Sequence, residues 1–134
     1  MTTNFSILAS AKALPTTKVT NQELTQLMAT SDDWIKQRTG IRSRHVATDE
    51  TTTSLAVSVA QQLLQQSRLA ATAIDLIIVA TMSPDYLTPA TAPQVQAAIG
   101  LKKQLPLTSM LPVRALFMGC SWFTNTYNRA RPLC

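Results

Sequence analysis

The chain has 134 residues, 46% of them hydrophobic, which suffices for one modest core. Its formal net charge of +5 is unevenly placed, because residues 1–100 hold seven basic and seven acidic side chains and the excess comes from Lys102, Lys103, Arg114, Arg129 and Arg131. A nucleic-acid or anionic-membrane partner would rest on that last stretch alone, and neither is expected.

Cys120 and Cys134 fall too late to staple the upstream residues, so no disulfide framework is expected. The opening "MTTNFSILAS" lacks a basic region followed by a long apolar run. The apolar stretch around Ile77 to Ala80 is too short to cross a bilayer. A cytoplasmic protein is the expectation.

In chain order, Asn4 to Ala11 mixes apolar and small residues ahead of Leu14-Pro15 and reads as a first strand closed by a turn. Thr20-Asn21-Gln22-Glu23 fits a capping box, with Leu24, Leu27 and Met28 following at helical spacing. A second short helix is predicted to begin at Thr30 or Ser31, with Asp32 and Asp33 near its positive end. In "TTTSLAVSVAQQLLQQS", Leu55, Val59, Leu63 and Leu64 lie roughly along one face behind a threonine cap. "IDLIIVAT" is a continuous apolar run, as expected of a strand covered on both faces. Pro89 to Ile99 is a helix candidate stopped by Gly100. This order implies an α/β fold with a largely parallel sheet, and such a sheet needs more strands than residues 1–100 supply.

The most distinctive stretch is "TSDDWIKQRTGIRSRH", Thr30 to His45. Trp34 and Arg38 are four residues apart, on one face of the short helix. A ring beside a guanidinium suits a nucleotide, with stacking on the base and the arginine stacking or meeting phosphate. Arg42 and Arg44 add positive charge nearby. Spacing alone favours a plainer arrangement, a half-buried Trp with solvated arginines.

The pieces "NQELTQLMATSDDWIKQRTGIRSRH", "ETTTSLAVSVAQQLL" and "IDLIIVATMSPDYLTPATAPQVQAAIG" together resemble the N-terminal part of β-ketoacyl-acyl carrier protein synthase III, the initiating condensing enzyme of type II fatty-acid synthesis. Other thiolase-fold condensing enzymes are the alternative family, and the "WIKQRTGI" context favours synthase III. The resemblance implies the N-terminal part of the first half-domain of a thiolase-type fold, over residues 1–103. It implies condensation of an acyl-CoA with malonyl-acyl carrier protein, with CoA or acyl-CoA as substrate and no permanently bound cofactor or metal. Acyl carrier protein is the implied partner; the family forms homodimers, which is not carried over to so short a chain. By the same resemblance, Trp34 stacks on the adenine of CoA, Arg38 also contacts the nucleotide, and Thr30 is a weaker contact. Thr88 in "SPDYLTPAT" is the implied residue of the acyl-pocket and dimer loop. His45 is not the family's catalytic histidine and is expected to make a local hydrogen bond.

Residues 104–134 carry no such pattern. Where the family continues into a segment like "AFDINAACSGF", this chain reads "LKKQLPLTSMLPVRALFMGC". A lost adenine in the codons of Leu101-Lys102-Lys103 accounts for the change. With synonymous codons chosen freely, restoring it turns Gln104 to Phe117 into T-I-A-F-D-I-N-A-A-C-S-G-F-I. The family's nucleophilic cysteine then falls across the codons of Pro112 and Val113, and Cys120 is not expected to replace it. The family's histidine and asparagine lie past the matched residues, so no catalytic residue is assigned. Residues 104–134 are read as an out-of-frame tail without a domain, and the chain as a truncated, inactive form. The alternative is a non-catalytic fragment that binds CoA or a partner through Trp34 and Arg38.

Overall fold

The computed structural model describes residues 6–101 and 105–109. Its elements in order are β1 (Thr17–Thr20), α1 (Asn21–Leu24), α2 (Asp32–Thr39), β2 (Ser43–Val46), α3 (Thr52–Ser67), β3 (Leu76–Ala80), α4 (Thr91–Ala98) and β4 (Leu105–Ser109). The described residues divide into two units: Lys12–Thr51, and residues 6–11 with 52–101 and 105–109.

In the smaller unit, β1 and β2 form an antiparallel ladder from Thr17 opposite Val46 to Thr20 opposite Ser43. The capping box forms as read. Glu23 accepts from the Thr20 amide, while its own amide donates to Thr20 Oγ1 at 3.3 Å. The box starts a helix of one turn only, and Leu27 and Met28 lie beyond it, exposed. Glu50 closes the other end of the ladder by accepting from the Thr16 amide at 2.8 Å and from the Thr48 amide at 3.2 Å. Donation from the Thr16 amide above all, then from other nearby amides and the Thr16 hydroxyl, holds the Glu50 carboxyl down at about 2.

In the larger unit, α3 spans the residues expected from its leucine and valine spacing. Its first amides are capped from 33 and 32 residues away: Thr52 and Thr53 donate to the Asp85 carboxylate at 2.9 and 2.8 Å. β3 and β4 pair in parallel, Leu76 opposite Leu105 through Ala80 opposite Ser109, with α4 lying between them in sequence. The core gathers on α4, where Thr91, Ala92 and Val95 are buried, and just beyond it at Leu101. Burying Val95 contributes roughly 1.5–3 kcal/mol.

Three expectations are corrected. Ser6 to Pro15 contain no strand, since a ladder needs a paired neighbour and neither sheet supplies one there. β3 is half-buried, not covered on both faces, and α3 buries none of its residues fully. The first described residues of the tail form β4, which sequence did not predict. Leu105, Pro106, Leu107 and Thr108 alternate faces, but the two leucines are exposed while Thr108 Oγ1 accepts from the Ala92 amide at 2.8 Å. The boundary expected between 103 and 104, together with Pro112, Val113 and Cys120, lies outside the described residues.

Candidate functional site

α2 carries the distinctive motif, and its ends are fixed by its own sequence. Ser31 is the N-cap, extended at φ −136°, its hydroxyl accepting from the Trp34 amide at 3.2 Å. Asp32 and Asp33 occupy the first turn, where the helix dipole favours them. Gly40 closes the helix at φ 72°, with its amide donating to the Lys36 carbonyl at 2.9 Å. Ile35 is the buried residue of this helix, so the neighbouring Trp34 is turned outward.

Trp34 is 58% exposed, which sets aside the half-buried Trp. Its free ring offers a stacking face. A hollow of about 370 Å³ is lined by Ala29, Thr30, Ser31 and Trp34. A second, of about 560 Å³, shares Thr30 and Ser31 and adds Asn21, Gln22, Asp32 and Arg42 among others. Thr30 Oγ1 is buried with no hydrogen-bond partner among the described residues. An unmet buried hydroxyl costs about 1–3 kcal/mol, and a ligand in either hollow could relieve that cost. Arg42 and Asp32 share one wall, so local charge is mixed and does not favour an anion alone. Ring face, hydroxyl and mixed-charge wall suit an uncharged heteroaromatic ring carrying polar groups.

Thr30 and Trp34 line one hollow. Arg38 is exposed one turn further along α2 and does not line either hollow. Thr88 belongs to the other unit, exposed beside a cis bond to Pro89. Its loop also exposes Met82, Tyr86 and Leu87 and is tied down by Asp85 and by the Thr52 hydroxyl donating to the Ser83 carbonyl at 2.8 Å. His45 makes a hydrogen bond, though to a residue 30 positions away in sequence: Nδ1 lies 2.7 Å from the Pro15 carbonyl, which can only accept, so Nδ1 carries the proton.

Arg42, noted from sequence as nearby positive charge, does line the second hollow, whereas Asn21 was not singled out from sequence. The Asn21 signal was present in the capping box, where its side chain follows the cap and is free to reach elsewhere. Among the described residues no group of three His, Cys, Asp or Glu side chains could hold a metal ion, and no helix is long and apolar enough to cross a membrane.

No protein-family model matches the chain. A β-ketoacyl-[acyl-carrier-protein] synthase III 2 of Lactiplantibacillus plantarum is 96% identical over 105 residues, covering 78% of this chain and 32% of that protein. A β-ketoacyl-[acyl-carrier-protein] synthase III of Streptococcus suis is 53% identical over 123 residues, covering 92% of this chain and 36% of that protein. The crystal structure of 3-oxoacyl-[acyl-carrier-protein] synthase III from Aquifex aeolicus VF5 superposes with a TM-score of 0.81 at 32% identity, covering 89% of this chain and 40% of that one. The chain thus spans about a third of the length of the curated relatives it matches. Sequence and partial thiolase-type α/β fold together place it in the β-ketoacyl-[acyl-carrier-protein] synthase III family.

Proposed function

We propose that the in-frame gene product is the initiating condensing enzyme of type II fatty-acid synthesis, a cytoplasmic acyltransferase, and that residues 12–51 supply its grip on the nucleotide end of acyl-CoA. The exposed Trp34 ring beside the unpartnered Thr30 hydroxyl carries this reading. The ring stacks on adenine and the hydroxyl takes a polar edge of the base, while Arg38 remains free to meet phosphate from the next turn. Thr88, on an exposed loop held by Asp85, is the proposed contributor to the acyl pocket and subunit contact. Acyl carrier protein brings the malonyl extender, and no resident cofactor takes part.

In the reaction, a cysteine thiolate attacks the acyl-CoA thioester carbonyl, forms an acyl-enzyme and releases CoA. Decarboxylation of malonyl-carrier then supplies the carbanion that displaces the cysteine. The chain as written does not retain that cysteine at its expected place, which falls across the codons of Pro112 and Val113; a frame slip near Lys102 is the proposed cause. Two observations support the slip. Near-identity with the Lactiplantibacillus protein extends over 105 residues, 78% of the chain. In β4 the leucines point outward and Thr108 points to α4, the reverse of what a strand selected to pack on a helix presents.

Sequencing the gene across the Lys102-Lys103 codons tests the slip, and assaying condensation of acetyl-CoA with malonyl-acyl carrier protein tests the activity. The expected result is no turnover by this chain and turnover once the adenine is restored. Turnover by the chain as written, abolished by Cys120→Ala, would overturn the proposal. So would codons incompatible with the restored peptide.

A further inference from the structure

Asn21 is buried to 1% exposure, unusual for an amide side chain in a segment this polar. Every part of that amide is engaged. Nδ2 donates to Asp32 Oδ1 at 2.7 Å and to the Ile41 carbonyl at 2.8 Å, and Oδ1 accepts from Arg44 Nη2 at 2.7 Å. The Asn21 amide nitrogen also donates to the Arg42 carbonyl at 3.4 Å. One side chain therefore clamps three places: the first turn of α2, the turn after α2, and strand β2.

What it clamps is the frame of the nucleotide hollow. Asp32 is the first residue of α2, next to the Ser31 cap and two positions from Thr30, and Trp34 follows two residues on. Arg42, which lines the second hollow together with Asp32, is held by the same residue's backbone. A capping hydroxyl alone fixes where α2 begins, but not where it lies relative to β2. The Asn21 amide supplies that second constraint. A leucine of similar volume could fill the space, yet it would leave the Arg44 guanidinium, one of whose nitrogens is already unpartnered, without its acceptor.

We propose that Asn21 is a positioning residue. By bonding Asp32 and Arg44 at once, it fixes the Thr30–Trp34 segment against Arg42, so that the ring and hydroxyl meet a nucleotide in one geometry. The proposal rests on the nucleotide reading of the hollow given above. Its content is separate, because the clamp can be read from Trp34 motion without any ligand.

The test uses the full chain carrying Trp122→Phe, so that Trp34 is the reporting indole. Asn21→Asp keeps an acceptor for Arg44 but removes both donations and sets two carboxylates face to face. Asn21→Asp combined with Asp32→Asn exchanges donor and acceptor and rebuilds the bridge. In chains whose circular dichroism shows them folded, Asn21→Asp is expected to quicken Trp34 anisotropy decay and weaken CoA binding about tenfold. The double variant is expected to restore the slow decay and return affinity to within about threefold of the parent. Unchanged Trp34 motion in Asn21→Asp, or a double variant no better than the single, overturns the proposal. If Asn21→Asp does not fold, Asp32→Ala replaces it, since this leaves the Ile41 and Arg44 bonds in place; freed Trp34 motion supports the clamp and unchanged motion overturns it. If the parent chain does not bind CoA, the nucleotide reading fails, and the Trp34 decay still decides for or against the clamp.

Discussion

The two units are held together by different means. Lys12–Thr51 has one buried apolar side chain, Ile35, and closes itself with polar bonds: Asn21 to three partners, Glu23 to Thr20, Glu50 to Thr16 and Thr48, His45 to Pro15. The larger unit relies on apolar packing around Ala92, Val95 and Leu101, yet leaves α3 without a fully buried residue and β3 half-covered. Polar closure is largely achieved within forty residues, with Thr30 Oγ1 and Arg44 Nη1 left unpartnered, because each bond needs only one partner at the right distance. Apolar closure needs area, and an apolar strand stays half-exposed until layers lie on both of its faces.

The largest expected effect comes from breaking the apolar side. Val95→Asp puts an unpaired carboxylate at a position 2% exposed and is expected to cost about 3 kcal/mol or more. Amide exchange read by NMR should show α4 losing protection while the Gly40 and Ile35 amides keep theirs. Loss of both together would show one cooperative block and erase the contrast. Asp85→Ala removes the acceptor of two α3 amides and should lower stability by about 1–2 kcal/mol, with the exchange change concentrated at Thr52 and Thr53. Gly40→Ala forces a side chain onto a residue at φ 72° with open space around it, so only backbone strain is felt. Chemical denaturation should show a loss of about 1 kcal/mol.

The smallest effect is electrostatic. Because the Glu50 carboxyl is held at about 2 in the folded chain, against 4.5 ordinarily, its contribution is fully present above the ordinary value and is lost as pH falls through the folded one. Glu50→Gln should therefore flatten the acid limb of the stability curve and leave the neutral region's shape alone. An unchanged acid limb would mean that Thr16 and Thr48 do not hold that carboxylate.

Elements specified by near neighbours were readable from the sequence. Leu55, Val59 and Leu63 repeat at helical spacing, Thr20 and Glu23 are three apart, and Ser31 precedes two acids; α3, the capping box and the α2 start all stand where these signals put them. β1 and β2 were missed because Thr17–Thr20 and Ser43–Val46 are four residues each and largely polar, too brief for an alternation to show. The Asp85 cap and the Asn21 clamp join residues 33 and 23 apart at their widest, a distance over which no local period carries information. Of the candidate site, Trp34 and the nearby charge of Arg42 could be read from the motif, and Thr30 only through the family resemblance; the part contributed by Asn21 appears only once the chain is folded.

The most direct measurement is calorimetric titration of CoA into this chain and into its Trp34→Ala variant. Saturable one-to-one binding by the parent, lost in the variant while circular dichroism is unchanged, is the expected result. Binding that survives removal of the ring, or a parent chain that takes up no CoA, would contradict the placement of the nucleotide between Thr30 and Trp34.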